Sequence, residues 1–302
     1  MKQETESAVI RFDFAEVNGV RLHYARAGAG KLILFLHGFP EFWYGWRNQL
    51  ADFGRGFLAV APDMRGYNLS SKPAAVEDYQ LKYLVEDVRA LVEHLLHENK
   101  QERCLLAGHD WGGVVAWLFA AQYPERVEKL IIINAPHPAI FERELKENPA
   151  QQQASQYMEL LSSKDAEEML SANHFFLLDE SILKVGVKEG FFTEADRQAY
   201  LESWARPGAL TGALNYYRAA RLGQMQSGGI ESQLSAQVPS LHVRVPTLVI
   251  WGEKDPYLLT GNLSGLGQFV PKLQLRLMAD CAHWVVHQDP SRVNAYIREF
   301  IG

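Results

Sequence analysis

The 302-residue chain has few of the features that mark membrane, secreted or nucleic-acid-binding proteins. No apolar stretch approaches the roughly 20 residues that span a bilayer, and the opening Met1-Lys2-Gln3-Glu4-Thr5-Glu6 is polar and acidic-leaning. Cysteine occurs only at Cys104 and Cys281, too few and too far apart for a disulfide framework or a zinc site. Positive charge is in deficit: 30 Lys and Arg against 36 Asp and Glu give a formal −6, so no summed field draws phosphate backbones or anionic lipid. Gly28-Ala29-Gly30 lacks the third glycine and the helix of a dinucleotide loop, and no phosphate-binding loop is present. His283 and His287 lack the glutamate of a His-Glu-x-x-His metal site, because Trp284 stands in its place. These absences lead us to expect a cytoplasmic protein with no cofactor, no metal, no nucleic acid and no membrane partner.

Hydrophobic residues make up 47% of the chain, and seven Trp, twelve Tyr and fifteen Phe are an ample supply of large side chains for a core or an apolar pocket. The alternation at Val20 to Arg26 and the short runs at Lys31 to Leu36, Phe57 to Ala61, Arg103 to Ala107 and Lys129 to Ile133 read as strands. Between them, Leu81 to Leu96 carries apolar residues at spacings of three and four, and Gly112 to Gln122 is mostly apolar up to Pro124. Strands alternating with helices imply a parallel sheet covered on both faces. From about Pro138 to Leu241 the pattern becomes helical, with helices expected over Glu142 to Ser162, Asp165 to Asn173, Thr193 to Ala205 and Pro207 to Leu222. Asp165 with Glu168 and Thr193 with Asp196 resemble N-cap pairs, and Pro207 suits a first helical turn. Gln226-Ser227-Gly228-Gly229 reads as a flexible exit, and strands resume at Val245 to Trp251 and Leu273 to Met278.

The strand Arg103 to Ala107 runs into Gly108-His109-Asp110-Trp111-Gly112 and directly into a helix. Small residues two before and two after the central position permit the tight turn of a nucleophile elbow, here carrying Asp in place of Ser. An N-capping Asp is the plainer explanation, but the chain also supplies Asp255 after one later strand and His283 after the next, in the order nucleophile, acid, histidine. A carboxylate is ionised at neutral pH and needs no base to attack, which suits displacement at saturated carbon followed by hydrolysis of the resulting ester.

His37-Gly38-Phe39-Pro40-Glu41-Phe42-Trp43, Asp63-Met64-Arg65-Gly66-Tyr67, the elbow with Gly113, and Asn134-Ala135-Pro136-His137-Pro138 resemble the α/β-hydrolase-fold epoxide hydrolases over nearly the whole chain. The resemblance implies a mostly parallel eight-stranded sheet flanked by helices, with a helical lid inserted after the sixth strand. The core would span 1–137 and 242–302 and the lid 138–241. It implies a covalent ester on Asp110, hydrolysed by water that His283 activates with Asp255, an oxyanion hole from the N–H groups of Phe39 and Trp111, and ring-oxygen donors Tyr157 and Tyr217 on the lid. His37, Pro40, Trp43 and Trp284 would form substrate-binding wall around a small, neutral, apolar substrate, and lid surfaces in this fold can pair into a homodimer. Haloalkane and haloacetate dehalogenases share the Asp elbow. Trp111 and Val114 stand where the haloacetate enzymes carry arginines, and Asn134 where they carry an acid. Haloalkane chemistry stays open, because Trp111 could donate to a halide. A non-catalytic binding protein on the same fold is a further alternative.

Overall fold

A computed structural model describes residues 8–220 and 241–302. Its centre is an eight-stranded sheet of β1 (Ile10–Val17), β2 (Val20–Ala27), β3 (Lys31–Leu36), β4 (Phe57–Pro62), β5 (Cys104–His109), β6 (Val127–Ile133), β7 (Thr247–Gly252) and β8 (Leu273–Met278), in the order β1-β2-β4-β3-β5-β6-β7-β8. The six strands from β4 to β8 are parallel, while β1 pairs antiparallel with β2 and β2 antiparallel with β4. The central strands read as continuous apolar runs because both faces are covered. In β3, Leu32, Leu34 and Leu36 enter one core layer and Ile33 and Phe35 the other.

One layer is closed by α2 (Leu81–Glu98) and α3 (Trp111–Gln122), and the other by α1 (Arg47–Phe53) and the C-terminal helix α12 (Pro290–Ile301). A short helix, α11 (Val285–Gln288), follows the last strand. Between β6 and β7 lie α4 (Pro138–Glu147), α5 (Pro149–Ala154), α6 (Tyr157–Ser162), α7 (Ala166–Leu178), α8 (Lys184–Glu189), α9 (Glu194–Trp204) and α10 (Ala209–Ala219).

Several expectations for this helical stretch need correction. Glu142 to Ser162 is three helices, because Pro149 starts a new one capped by the Asn148 side chain, which accepts from the N–H groups of Ala150 and Gln151. The Asp165 side chain makes no cap hydrogen bond, whereas Thr193 and Asp196 form the reciprocal capping box. The helix that starts at Ala166 is interrupted at Ala172 to Phe175, where Asn173, His174 and Phe175 take left-handed conformations. Helical structure then resumes through Glu189, a stretch the periodicity does not announce. Pro207 lies two residues before α10, whose N-cap is the left-handed Gly208. The Gln226 to Gly229 exit lies outside the described residues.

Candidate active site

Residues at the C-terminal ends of β3, β5, β6 and β7 and in the loop after β8 converge on Asp110. The elbow is built by close approach. A Cβ on Gly108 would lie 2.4 Å from the Gly112 carbonyl oxygen, and one on Gly112 would lie 2.2 Å from that of Leu36. With those positions compressed, Asp110 takes φ 51°, a conformation that costs an L-residue on the order of 1–3 kcal/mol. The turn lifts its carboxylate out of the sheet and against Gly38, where a Cβ would meet Oδ1 at 2.1 Å. Oδ1 accepts the Phe39 N–H at 2.8 Å. Trp111 opens α3, where its own N–H has no acceptor within the helix.

Oδ2 of Asp110 faces His283 Nε2 at 3.6 Å, an ion-pair distance. The other ring nitrogen, Nδ1, lies 2.7 Å from Asp255 Oδ2. Asp255 is saturated: Oδ1 accepts from the N–H groups of Tyr257 and Leu258, and Oδ2 also accepts from Asn134 Nδ2 at 2.8 Å. Asn134 therefore holds the acid, its own oxygen accepting the Gly252 N–H. Burial alone would discharge all three groups. For His283 that pull is outweighed by the two flanking carboxylates, which raise it to about 10. Asp110 and Asp255 are each lowered, against burial, chiefly by His283.

Above the triad, Tyr157 from α6 and Tyr217 from α10 stand with ring centroids 6.4 Å apart. Burial, and then neighbouring negative groups, push both phenols well above their usual range, so both keep their protons. They share with Asp110 a cavity of about 260 Å³ that also touches His283, Phe39, Pro40 and Trp284. A narrower apolar cavity of about 50 Å³ reaches Asp110 from the Trp111 and Met158 side.

Two of the expected wall residues lie elsewhere. His37 is fully buried beneath its loop: Nδ1 donates to the Gly38 carbonyl and Nε2 accepts the Met64 N–H, which shapes the turn that presents Phe39. Trp43 packs edge-on against Phe12 of β1, its N–H donating to Asp63, and lines neither cavity. Conversely, Tyr257 lines the large cavity, with its ring between those of Tyr157 and His283; its place two residues after Asp255 was the available signal. Glu41, within the His37 to Trp43 segment, is a buried tie. It accepts from Tyr200 Oη and His287 Nε2 and faces His109, whose Nε2 donates to the His283 carbonyl. Those histidines hold its carboxyl well below the usual range, against the opposing effect of burial.

Polar stitches fix the helices over the site. Trp204 Nε1 donates to the Pro40 carbonyl and Tyr216 Oη to that of Arg65. Gln151, fully buried on α5, uses all four of its hydrogen-bonding positions: it donates to Ser155 Oγ and the Tyr257 carbonyl, and accepts from the Leu259 N–H and Asn262 Nδ2. It joins the loop of the acid to the helices that carry Tyr157. Among the described residues no helix is long and apolar enough to cross a membrane.

Residues 31–290 match the alpha/beta hydrolase fold family model. The chain is 38% identical over 296 residues to the AB hydrolase superfamily protein YfhM of Bacillus subtilis, covering 97% of this chain and 98% of that one. It is 36% identical to epoxide hydrolase 4 of Mus musculus, covering 94% and 77% of the two chains. The crystal structure of a Bacillus megaterium epoxide hydrolase in complex with an inhibitor superposes with a TM-score of 0.87 at 38% identity, over 96% of this chain and 99% of that one. An Asp on an elbow, faced by a His that a second Asp holds and overlooked by two phenols, thus sits in a fold these proteins share, and the chain belongs to the α/β-hydrolase fold family, on its epoxide hydrolase branch.

Proposed function

We propose that the protein hydrolyses small, neutral, largely apolar epoxides to vicinal diols through an ester on Asp110, with residues 138–241 acting as a lid over a core made of 1–137 and 242–302. One observation carries the reading: the phenols of Tyr217, buried, and Tyr157, half-buried, line the same cavity as Asp110 and His283, and both hold their protons above the usual range. An epoxide leaves as a strongly basic alkoxide and needs a proton, whereas a halide needs none.

Asp110 Oδ2 attacks a ring carbon and the C–O bond to the ring oxygen breaks. One phenol gives that oxygen its proton. The ester is uncharged, so His283 loses one of the two carboxylates that hold its proton, and the proton passes to the phenolate. Neutral His283, oriented by Asp255, then takes a proton from water as the water oxygen adds to the ester carbonyl. Oδ1 carries the oxyanion, with the Phe39 N–H already on it and the Trp111 N–H, which opens α3, as the second donor. On collapse the diol oxygen leaves with the proton from His283, and Asp110 returns its new proton to the histidine.

The test is diol formation from a styrene-oxide-type epoxide. Wild type should form diol, and Asp110→Ala none. Tyr157→Phe together with Tyr217→Phe should abolish ring opening, while any haloalkane turnover survives. Diol that persists without Asp110 would refute the reading.

A further inference from the structure

The two phenols are referenced to different parts of the core. Tyr157 follows α5, which Gln151 ties to the loop after Asp255. Tyr217 lies on α10, which rests on the loop after β4 through a contact between two glycines. A Cβ on Gly212 would lie 2.5 Å from the Gly66 carbonyl oxygen and 2.7 Å from its Cα; one on Gly66, whose φ is +91°, would lie 3.0 Å from the Gly212 carbonyl carbon and 2.7 Å from the Tyr79 ring. Helix backbone and loop backbone therefore touch with no side chain between them. One turn on and on the same face of α10, Tyr216 Oη donates to the Arg65 carbonyl at 2.8 Å. Arg65 is itself pinned by two 2.7 Å bonds to Asp87 of α2. Tyr217 is the next residue after that anchor.

Resting on the proposed ring opening, we infer that the Gly66–Gly212 contact sets the height of the Tyr217 hydroxyl over Asp110, so that Gly212 is a positioning residue for ester formation and not for ester hydrolysis. An added Cβ at 2.5 Å from backbone must retreat to ordinary contact of about 3.5 Å. That lifts α10, and Tyr217 with it, by about 1 Å, a misplacement able to cost on the order of 10²-fold in rate. Asp255 and His283, which serve the hydrolysis of the ester, stay where Gln151 and the sheet hold them.

The experiment is rapid-quench mass spectrometry of the full chain with a styrene-oxide-type epoxide, timing appearance and decay of the Asp110 ester. Gly212→Ala should slow ester formation about 10²-fold and leave decay within about twofold. Tyr217→Phe should cost far less in the Gly212→Ala background than in wild type, since the hydroxyl is already displaced. Tyr216→Phe, which keeps the ring and the packing, should slow the same step several-fold, and it carries the test should Gly212→Ala not fold. Equal slowing of both steps, unchanged ester formation in the variants, or an undiminished Tyr217→Phe effect would overturn the inference alone. A wild-type enzyme that forms no ester would overturn the proposed function with it.

Discussion

Asp255→Asn is a one-atom change whose consequence follows from the hydrogen bonds already made. Asp255 Oδ1 accepts two backbone N–H groups, from Tyr257 at 2.8 Å and Leu258 at 3.0 Å, while Oδ2 accepts from Asn134 and faces His283 Nδ1. An introduced amide has one oxygen. If that oxygen turned toward His283, two buried N–H groups would lose their acceptor at about 1–3 kcal/mol each, so it stays with the backbone. The amide NH₂ then points at His283 Nδ1 and at the Asn134 NH₂. Nδ1 becomes an acceptor, the imidazole proton moves to Nε2, and the nitrogen that should take a proton from water no longer can. Ester hydrolysis should fall by about 10²–10⁴, equivalent to about 2.7–5.4 kcal/mol of barrier. Ester formation needs only an ionised Asp110 and the phenols, and should change little. Intact-mass measurement after rapid mixing with an epoxide should show protein carrying the added substrate mass at near stoichiometry. Slowing without accumulation of that species would refute the tautomer argument.

Three further outcomes are expected. Folded His283 binds its proton more tightly, at about 10, than an unperturbed imidazole at about 6.5; the stabilisation is therefore fully present below about pH 6.5 and is lost as pH rises toward 10. Urea midpoints should decline across that window in wild type and decline less in His283→Gln, and parallel declines would exclude His283 as the cause. Gly38→Ala places a Cβ 2.1 Å from Asp110 Oδ1, displacing it from the Phe39 N–H that would hold the oxyanion, so decay of the ester, timed before steady state, should slow by about 10² or more. Gln151→Leu strands the Leu259 N–H and the Tyr257 carbonyl and should cost about 3 kcal/mol by denaturant unfolding; a change under about 1 kcal/mol would mean that those groups find other partners.

Local constraint decides what the sequence makes legible. The elbow is readable because its glycines and Asp110 meet within five residues; Asp255 follows β7, whose two buried faces leave a plain apolar run, and His283 follows β8, an edge strand marked by the alternation of Leu273, Leu275 and Leu277 with Gln274 and Arg276. β1 escapes notice although Ile10, Phe12 and Phe14 alternate with Arg11 and Asp13. It is a sheet edge with Phe12 largely exposed and no turn residue before Ile10, although Asn18-Gly19, the two-residue turn that joins it to β2, is a signal for the hairpin. His37 and Trp43 sit in a motif that points to the site, yet the turn that presents the Phe39 N–H uses His37 as its internal support and sends Trp43 outward. Gln151, Tyr257 and the Gly66–Gly212 contact join segments between 100 and 150 residues apart, and no local pattern encodes such a meeting. The left-handed run at Asn173 to Phe175 is likewise unannounced, since that conformation is uncommon for a residue such as Phe175.

The bond from the Phe39 N–H to Asp110 Oδ1 also makes the two oxygens of one carboxylate unequal. On the proposed route Oδ2 departs with each diol and is replaced from water, whereas Oδ1, pressed on Gly38, never leaves the protein. The nucleophile is thus a fixed half and a consumable half. An enzyme worked through many turnovers in heavy-oxygen water would renew a single atom of Asp110, and each product would carry the solvent oxygen taken up in the turnover before it.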